Sequence, residues 1–152
     1  MDVGELCTRE VCVMSPCEPL ALALREMHDR HVGSVVVVRI ERGARYPVGI
    51  LTDRDVLCAQ VRTARDLFTL TVADVMTEVL LTLDQHTGLA EAVTTMRERG
   101  VRRAPVLGES GELIGVLSVD DLLPEISRNL AVLASLLGSR SEVRRWSEVY
   151  GR

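Results

Sequence analysis

Two short stretches of the 152-residue chain carry residue types that could do chemistry at a defined spacing. The first is Gly49-Ile50-Leu51-Thr52-Asp53-Arg54-Asp55, and the second is Gly115-Val116-Leu117-Ser118-Val119-Asp120-Asp121. In each, an apolar run that reads as a strand ends on a hydroxyl residue, and a helix begins there. Thr52 offers its hydroxyl and the unpaired amides of a helix start, which suit a phosphate. Asp55 lies three residues on, over the same helix end, where a carboxylate can accept from a vicinal diol. Arg54 adds a guanidinium. S/T-x-x-D is equally a helix-capping pattern, in which the acid answers the cap. The two roles are compatible, because one carboxylate can serve both. A third cluster, Arg102-Arg103, supplies planar cations suited to phosphate.

Other chemistries find little support. No Ser-His-Asp spacing, H-E-x-x-H, phosphate-binding Walker loop or dinucleotide glycine fingerprint is present, so no catalysis is expected. Cys7, Cys12 and Cys17 are spaced five apart, which is not a zinc-ligand spacing, and no histidine follows at finger distance, so no metal site is expected. Cys58 stands apart, and the four cysteines are expected as free thiols acting as small core hydrophobes. The start MDVGELCTRE is acidic and does not resemble a signal peptide, and no apolar run approaches a membrane span; both point to the cytosol. All 18 basic residues are arginine, and the net charge of −4 argues against bulk attraction to nucleic acid or anionic membrane. Aromatic residues make up only 3% of the chain, so the core must be aliphatic.

What must position these residues is an internal repeat. A shift of 69 aligns Val3 with Val72, Thr8 with Thr77, Leu20 with Leu89, Met27 with Met96 and Val37 with Val106. Further on the shift becomes 66, aligning Gly49 with Gly115, Leu51 with Leu117 and Asp55 with Asp121. The difference falls in one connection, IERGARYP in the first copy and GESGE in the second, as an insertion in a surface loop would.

Each copy reads as strand, helix, strand, strand, helix. The extended pieces are Val11 to Met14 and Leu80 to Leu83. Leu20, Ala23, Leu24 and Met27 fall on one helical face, as do Leu89, Ala92, Val93 and Met96. Ser15 or Glu18 is expected to cap the first of these helices and Asp84 or Thr87 the second, with Gly100 closing it. Strands follow at Val35 to Val38 and Val48 to Leu51, and at Ala104 to Leu107 and Ile114 to Leu117. Final helices run over Asp53 to Val61 and from Asp120 onward. A unit of roughly 55–60 residues buries too little surface alone, which explains the tandem pair. The expected division is residues 1–65, 66–124 and a tail, 125–152. In the tail, Ile126, Leu130, Leu133, Leu136 and Leu137 lie near helical spacing, interrupted by Gly138, before a basic RSEVRRW. A helix packing on the module or on a second subunit is the favoured reading; an effector-docking segment and a nucleic-acid contact are the others.

In order, these elements resemble the CBS domain. Copy two reads DVMTEV, LAEAVTTM, GVRRAPVL and LIGVLSVDDLL; copy one reads ELCTREV, LALALREM, HVGSVVVV and PVGILTDRDVL. The resemblance covers residues 3 to about 124. It implies an α+β fold of tandem CBS domains, each a three-stranded sheet with two helices, related by a pseudo-twofold axis and followed by the helical tail. It also implies a regulatory, non-catalytic, stand-alone CBS pair needing no cofactor. Its expected ligand is AMP, ATP, an NAD-type dinucleotide or S-adenosylmethionine. A flat homodimer and an unidentified effector protein are the implied partners. The alternative is an interaction module whose ligand sites have decayed.

The resemblance further implies that one copy's diol-binding acid works with the other copy's early segment. One cleft would combine Thr52, Arg54 and Asp55 with Thr77 and Leu81. The other would combine Thr8, Val13, Gly33 and Ser34 with Arg103, Ser118 and Asp121. Arg102 and Arg103 are the basic pair expected to reach phosphate. Copy one has Gly33 and Ser34 in their place, so two chemically identical sites are not expected.

Overall fold

A computed structural model of the chain describes residues 2–63, 65–79 and 81–150, with 137–150 as helical backbone. The chain divides into two compact bodies, Met1–Ser118 and Val119–Arg152.

The first body holds both sheets. Its elements are α1 (Val3–Leu6), β1 (Val13–Met14), α2 (Leu20–Asp29), β2 (Ser34–Glu41), β3 (Ala44–Thr52), α3 (Asp53–Thr63), β4 (Thr77–Glu78), β5 (Leu83–Asp84), α4 (Leu89–Arg99), β6 (Arg103–Leu107) and β7 (Leu113–Ser118). Short 3₁₀ turns cover Leu67–Thr69 and Val72–Asp74. One sheet has the order β1-β2-β3-β4 and the other β5-β6-β7. The strand-helix-strand-strand-helix reading is therefore met in both copies, and the register repeats as well. Val13 pairs with Val36 and Leu83 with Val106, each in parallel. The antiparallel hairpins share a bulge at equivalent points, Val37/Val38 and Val106/Leu107.

The first sheet differs from expectation in having four strands. Its fourth, β4, comes from the start of the second copy and pairs Gly49 with Glu78 and Ile50 with Thr77. The reciprocal exchange is present too: Thr8 pairs with Val116 at the edge of the second sheet. The exchange extends to hydrogen bonds. Val3 N donates to Thr87 O and Gly4 N to Gln85 O, while Val72 N donates to Glu18 O and Ala73 N to Pro16 O, all at 2.9 Å. Each pair maps onto the other by the 69-residue shift, so the copies embrace through a pseudo-twofold relation.

Close approach at these crossings explains the repeated glycine. A Cβ on Gly49 would lie 2.5 Å from Met76 Sδ and 3.1 Å from the Thr77 carbonyl; one on Gly115 would lie 2.5 Å from Cys7 Sγ and 2.9 Å from the Thr8 carbonyl. Only glycine leaves room for the partner copy's leading segment.

The core is aliphatic, as composition required. Leu20, Val35, Val37, Leu51, Leu70 and Val72 form one cluster with Met14, Met27 and Cys12. Each fully buried Leu or Val stabilises the fold by about 1.5–3 kcal/mol relative to exposure. Leu20, Ala23 and Met27 bury one face of α2, whereas on α4 only Ala92 and Met96 are buried and Val93 is partly exposed. The helix caps differ from expectation. α2 begins at Pro19 and α4 at Gly88, neither with a side-chain cap bond. The four candidate caps lie in the preceding turns instead: Glu18 accepts from Ser15 N at 2.5 Å, Asp84 Oδ1 from His86 N at 2.8 Å, and Thr87 lends its carbonyl to Val3. Gly100 closes α4 in the left-handed conformation, φ 64°. Of the cysteines, Cys7 and Cys12 are buried and Cys17 and Cys58 are exposed, so only two serve the core. Burial pushes the Cys12 thiol up, against a smaller opposing pull from Arg30.

The second body is one helix, α5 (Val119–Tyr150), which runs through Pro124. Leu130, Leu133 and Leu136 are exposed on it. The side chains of Leu137, Gly138 and RSEVRRW lie outside the described residues. Among the described residues no helix is long and apolar enough to cross a membrane.

Candidate functional site

β3 delivers Thr52 to the point where α3 starts, and the local chemistry there is a complete capping box. Thr52 N donates to Asp55 Oδ2 at 2.8 Å, the Thr52 hydroxyl donates to the same oxygen at 2.6 Å, and Asp55 N donates to Thr52 Oγ1 at 3.1 Å. Asp55 is half-buried, and the box bonds use Oδ2 and not its second oxygen, Oδ1. There the Thr77 hydroxyl, carried in by β4 from the second copy, makes a long 3.4 Å contact. Capping therefore occupies one carboxylate oxygen fully and leaves the other only loosely engaged.

Around Asp55 lies a cleft of about 420 Å³, within the range of small-molecule sites. Three segments line it: Ile50 and Thr52–Asp55 at the β3–α3 junction, Thr77–Val79 with Leu81 in the second copy's leader, and Gly100–Arg103 between α4 and β6. Ile50, Val79, Leu81 and Val101 give it apolar walls; Thr52 and Thr77 give hydroxyls; Arg54, Arg102 and Arg103 give guanidiniums. Such a set can cradle a flat apolar ring, hold a diol on a carboxylate and meet a phosphate with forked donors.

Thr52, Arg54, Asp55, Thr77 and Leu81 thus come together as the sequence grouped them. Arg102 and Arg103 line the same cleft, so Arg103, expected beside Ser118 and Asp121, stands here as well. The reason is tertiary. The segment after α4 faces the first copy's β3–α3 junction, a relation that cross-copy docking decides and sequence order does not. The other grouping is seen only in part. Arg103 stands opposite Ser118 in the β6–β7 ladder, and Thr8 beside it pairs with Val116. Ser34 is the ladder partner of Thr52, the Gly33 carbonyl accepts from Asp53 N at 3.3 Å, and Val13 pairs with Val36 in β1. Asp121 lies in the first turn of α5, in the helical body. Sequence reasoning passed over Ile50, Asp53, Glu78, Val79, Gly100 and Val101 as site residues. Asp53 and Glu78 each adjoin a chosen residue, so adjacency to the motif was the available signal. Among the described residues no group of three or more His, Cys, Asp or Glu side chains is placed to hold a metal ion.

Known proteins resemble the chain over most of its length. An uncharacterized protein of Methanopyrus kandleri is 32% identical over 123 residues, covering 81% of this chain and 61% of that protein. The CBS domain-containing protein YhcV of Bacillus subtilis is 30% identical over 121 residues, covering 80% of this chain and 82% of YhcV. The chain also matches the inosine-5'-monophosphate dehydrogenase of Thermoplasma acidophilum at 25% identity, spanning only 24% of that enzyme. Among solved structures, the CBS-pair protein CBSX2 of Arabidopsis thaliana superposes with a TM-score of 0.72 at 24% identity, covering 86% of this chain and 96% of that one, and shares the fold. The CBS domain pattern itself falls on residues 3–62 and again on 72–128, one match for each copy of the repeat, and the chain belongs to the CBS domain family.

Proposed function

We propose that this CBS pair is a regulatory module that binds an adenine nucleotide in the Asp55 cleft and passes its occupancy to a protein partner. One observation carries the reading. A half-buried carboxylate with an available oxygen, two hydroxyls and three guanidiniums converge from both copies on one cleft with apolar walls. The ribose diol would lie on Asp55, the phosphate against Arg102 and Arg103, and the adenine between Val79, Leu81 and Val101. A ligand there touches both copies at once, so its binding free energy acts on their mutual arrangement. No catalytic step is assigned, and the module is placed in the cytosol with the nucleotides it would sample. The domain limits 1–65, 66–124 and 125–152 belong to the same proposal.

Calorimetry with adenosine, AMP, ATP, NAD and S-adenosylmethionine tests it. Binding of an adenine ligand that Arg103→Ala weakens for AMP more than for adenosine supports the reading, because the guanidinium meets phosphate and not base. A second reading, an interaction module whose site serves folding alone, is favoured by the capping box that Asp55 completes. Absence of heat with all five ligands would select it.

Self-association is part of the proposal. Leu57 and Val61 sit one turn apart on α3 and are exposed, a stripe a second copy would cover through a twofold axis. Light scattering that shows only monomer at micromolar concentration would remove this part.

A further inference from the structure

The β2–β3 hairpin reaches beyond what the repeat requires. In the second copy the β6–β7 pairing ends at Leu107 with Leu113, the equivalents of Val38 and Pro47. The first copy continues with Arg39 opposite Tyr46, Ile40 opposite Arg45 and Glu41 opposite Ala44, then turns at Arg42-Gly43. Side chains alternate between the two faces of this ribbon. On one face Arg39 pairs with Glu41 at 2.8 Å, and the two charges neutralise each other. On the other stand Ile40 and Arg45, directly opposed across the strands. Among the described residues Ile40, 69% exposed, is the one large apolar side chain that either sheet leaves in solvent. No ion pair engages Arg42 or Arg45 among the described residues. Arg42 also holds φ 51°, a left-handed position that a two-residue hairpin turn normally gives to asparagine or glycine. The backbone is thus strained to keep an arginine at the tip.

We infer that this ribbon is the surface on which the module's protein partner docks, and that the partner presents an acidic segment. Arg42 and Arg45 meet its carboxylates and Ile40 its apolar side chain. The inference rests on the partner-binding part of the function proposed above and names its surface; it does not depend on the nucleotide. Charge selects the partner. The chain carries −4 overall, whereas residues 39–46 hold three arginines against one glutamate, and Arg39 already occupies that glutamate. Exposed guanidiniums with no ion pair of their own can form forked bonds to carboxylates without first breaking an internal one. An apolar side chain beside them supplies the contact centre that such a charged rim surrounds. The ribbon also borders the second copy, because a Cβ on Gly111 would lie 4.0 Å from Tyr46 Cε1. A partner seated here therefore sits where the hairpins of both copies approach one another, and can read their arrangement.

The test is fluorescence anisotropy of the full chain, free of nucleotide, with a labelled peptide of glutamates around one leucine. A lysine peptide of the same design and a single-stranded DNA are the comparisons. The glutamate peptide should bind, more weakly as salt rises, and should shift the amide resonances of residues 39–46. Arg42→Glu combined with Arg45→Glu should lower affinity about tenfold or more, and Ile40→Ser about threefold. Arg25→Glu, at an exposed position on α2, should leave it unchanged. Arg42→Asn, which suits the turn, should melt no lower than the wild type and still bind less, so that docking is separated from folding. Peptide affinity indifferent to the ribbon, or lowered equally by Arg25→Glu, overturns the docking surface and leaves the nucleotide reading standing. DNA or the lysine peptide bound more tightly than the glutamate peptide overturns the acidic partner.

Discussion

The Thr77 hydroxyl lies 3.4 Å from Asp55 Oδ1, so the second copy's leader reaches the carboxylate that caps the first copy's last helix. That carboxylate therefore has two separable duties. Asp55→Ala should cost about 0.5–2 kcal/mol through the lost cap, seen as a few degrees of melting temperature. It should also lower nucleotide affinity by roughly ten- to a hundredfold, the worth of hydrogen bonds to a charged acceptor. Thr52→Ala provides the contrast, since it removes half of the box and leaves the acid. If Asp55→Ala melts early but binds every nucleotide like the wild type, the acid is a cap alone.

The two repeated glycines should respond unequally to alanine. A Cβ at Gly49 meets the far end of Met76, which can swing aside, although the Thr77 carbonyl at 3.1 Å still presses on it. At Gly115 the obstacles are Cys7, with Sγ at 2.5 Å and Cβ at 3.1 Å, and the Thr8 carbonyl at 2.9 Å, none of which has such freedom. Gly115→Ala should therefore cost about 1–3 kcal/mol or more, and Gly49→Ala less. Chemical denaturation measures both. Equal costs would mean that the leading segments shift as units rather than hold their place.

Why this interlock escaped the sequence is physical. β4 and β5 are two residues long, too short for any alternation of polar and apolar side chains to register. By contrast, Val35–Val38 and the helix α2 face were plain, because β-branched runs and a 3.6-residue period are local signals. The repeat made the glycines visible but not their reason, which lies in atoms of the other copy. The capping box at Thr52 and Asp55 was legible because both halves lie within one turn of chain. At α2 and α4, the residues that looked like caps instead close the turns before them.

Asp74 offers a pH test of a second capping box. The Thr71 amide donates to it at 2.8 Å and the Thr71 hydroxyl at 2.9 Å, and these bonds hold its carboxyl below the usual carboxylate range. A carboxyl with a depressed folded-state pKa adds stability above its unfolded value, about 4, and loses it as pH falls through the folded value. Asp74→Asn keeps an acceptor but not the charge. It should be less stable than wild type near neutral pH, by a margin that shrinks as pH falls below the ordinary carboxylate range, about 4, and through the lower folded value. A margin independent of pH would show that the charge on Asp74 contributes nothing.

The last prediction concerns the thiols, which divide by burial rather than by spacing. Cys7 and Cys12 are each 8% exposed, whereas Cys17 and Cys58 stand in solvent on a turn and on α3. A thiol reacts as its thiolate, and burial has pushed the Cys12 thiol up, away from that form. A chromogenic disulfide reagent should therefore titrate Cys17 and Cys58 promptly in the native protein, and Cys7 and Cys12 only on unfolding. Cys7 is the more informative of the slow pair. Its sulfur fills the space above Gly115 where the two copies cross, so the rate at which it labels reports how often that crossing opens. If nucleotide ties the copies together through the Asp55 cleft, saturating AMP should slow Cys7 labelling and leave Cys17 untouched. Labelling of Cys7 as fast as Cys17 in the free protein would mean that the crossing is not closed in solution.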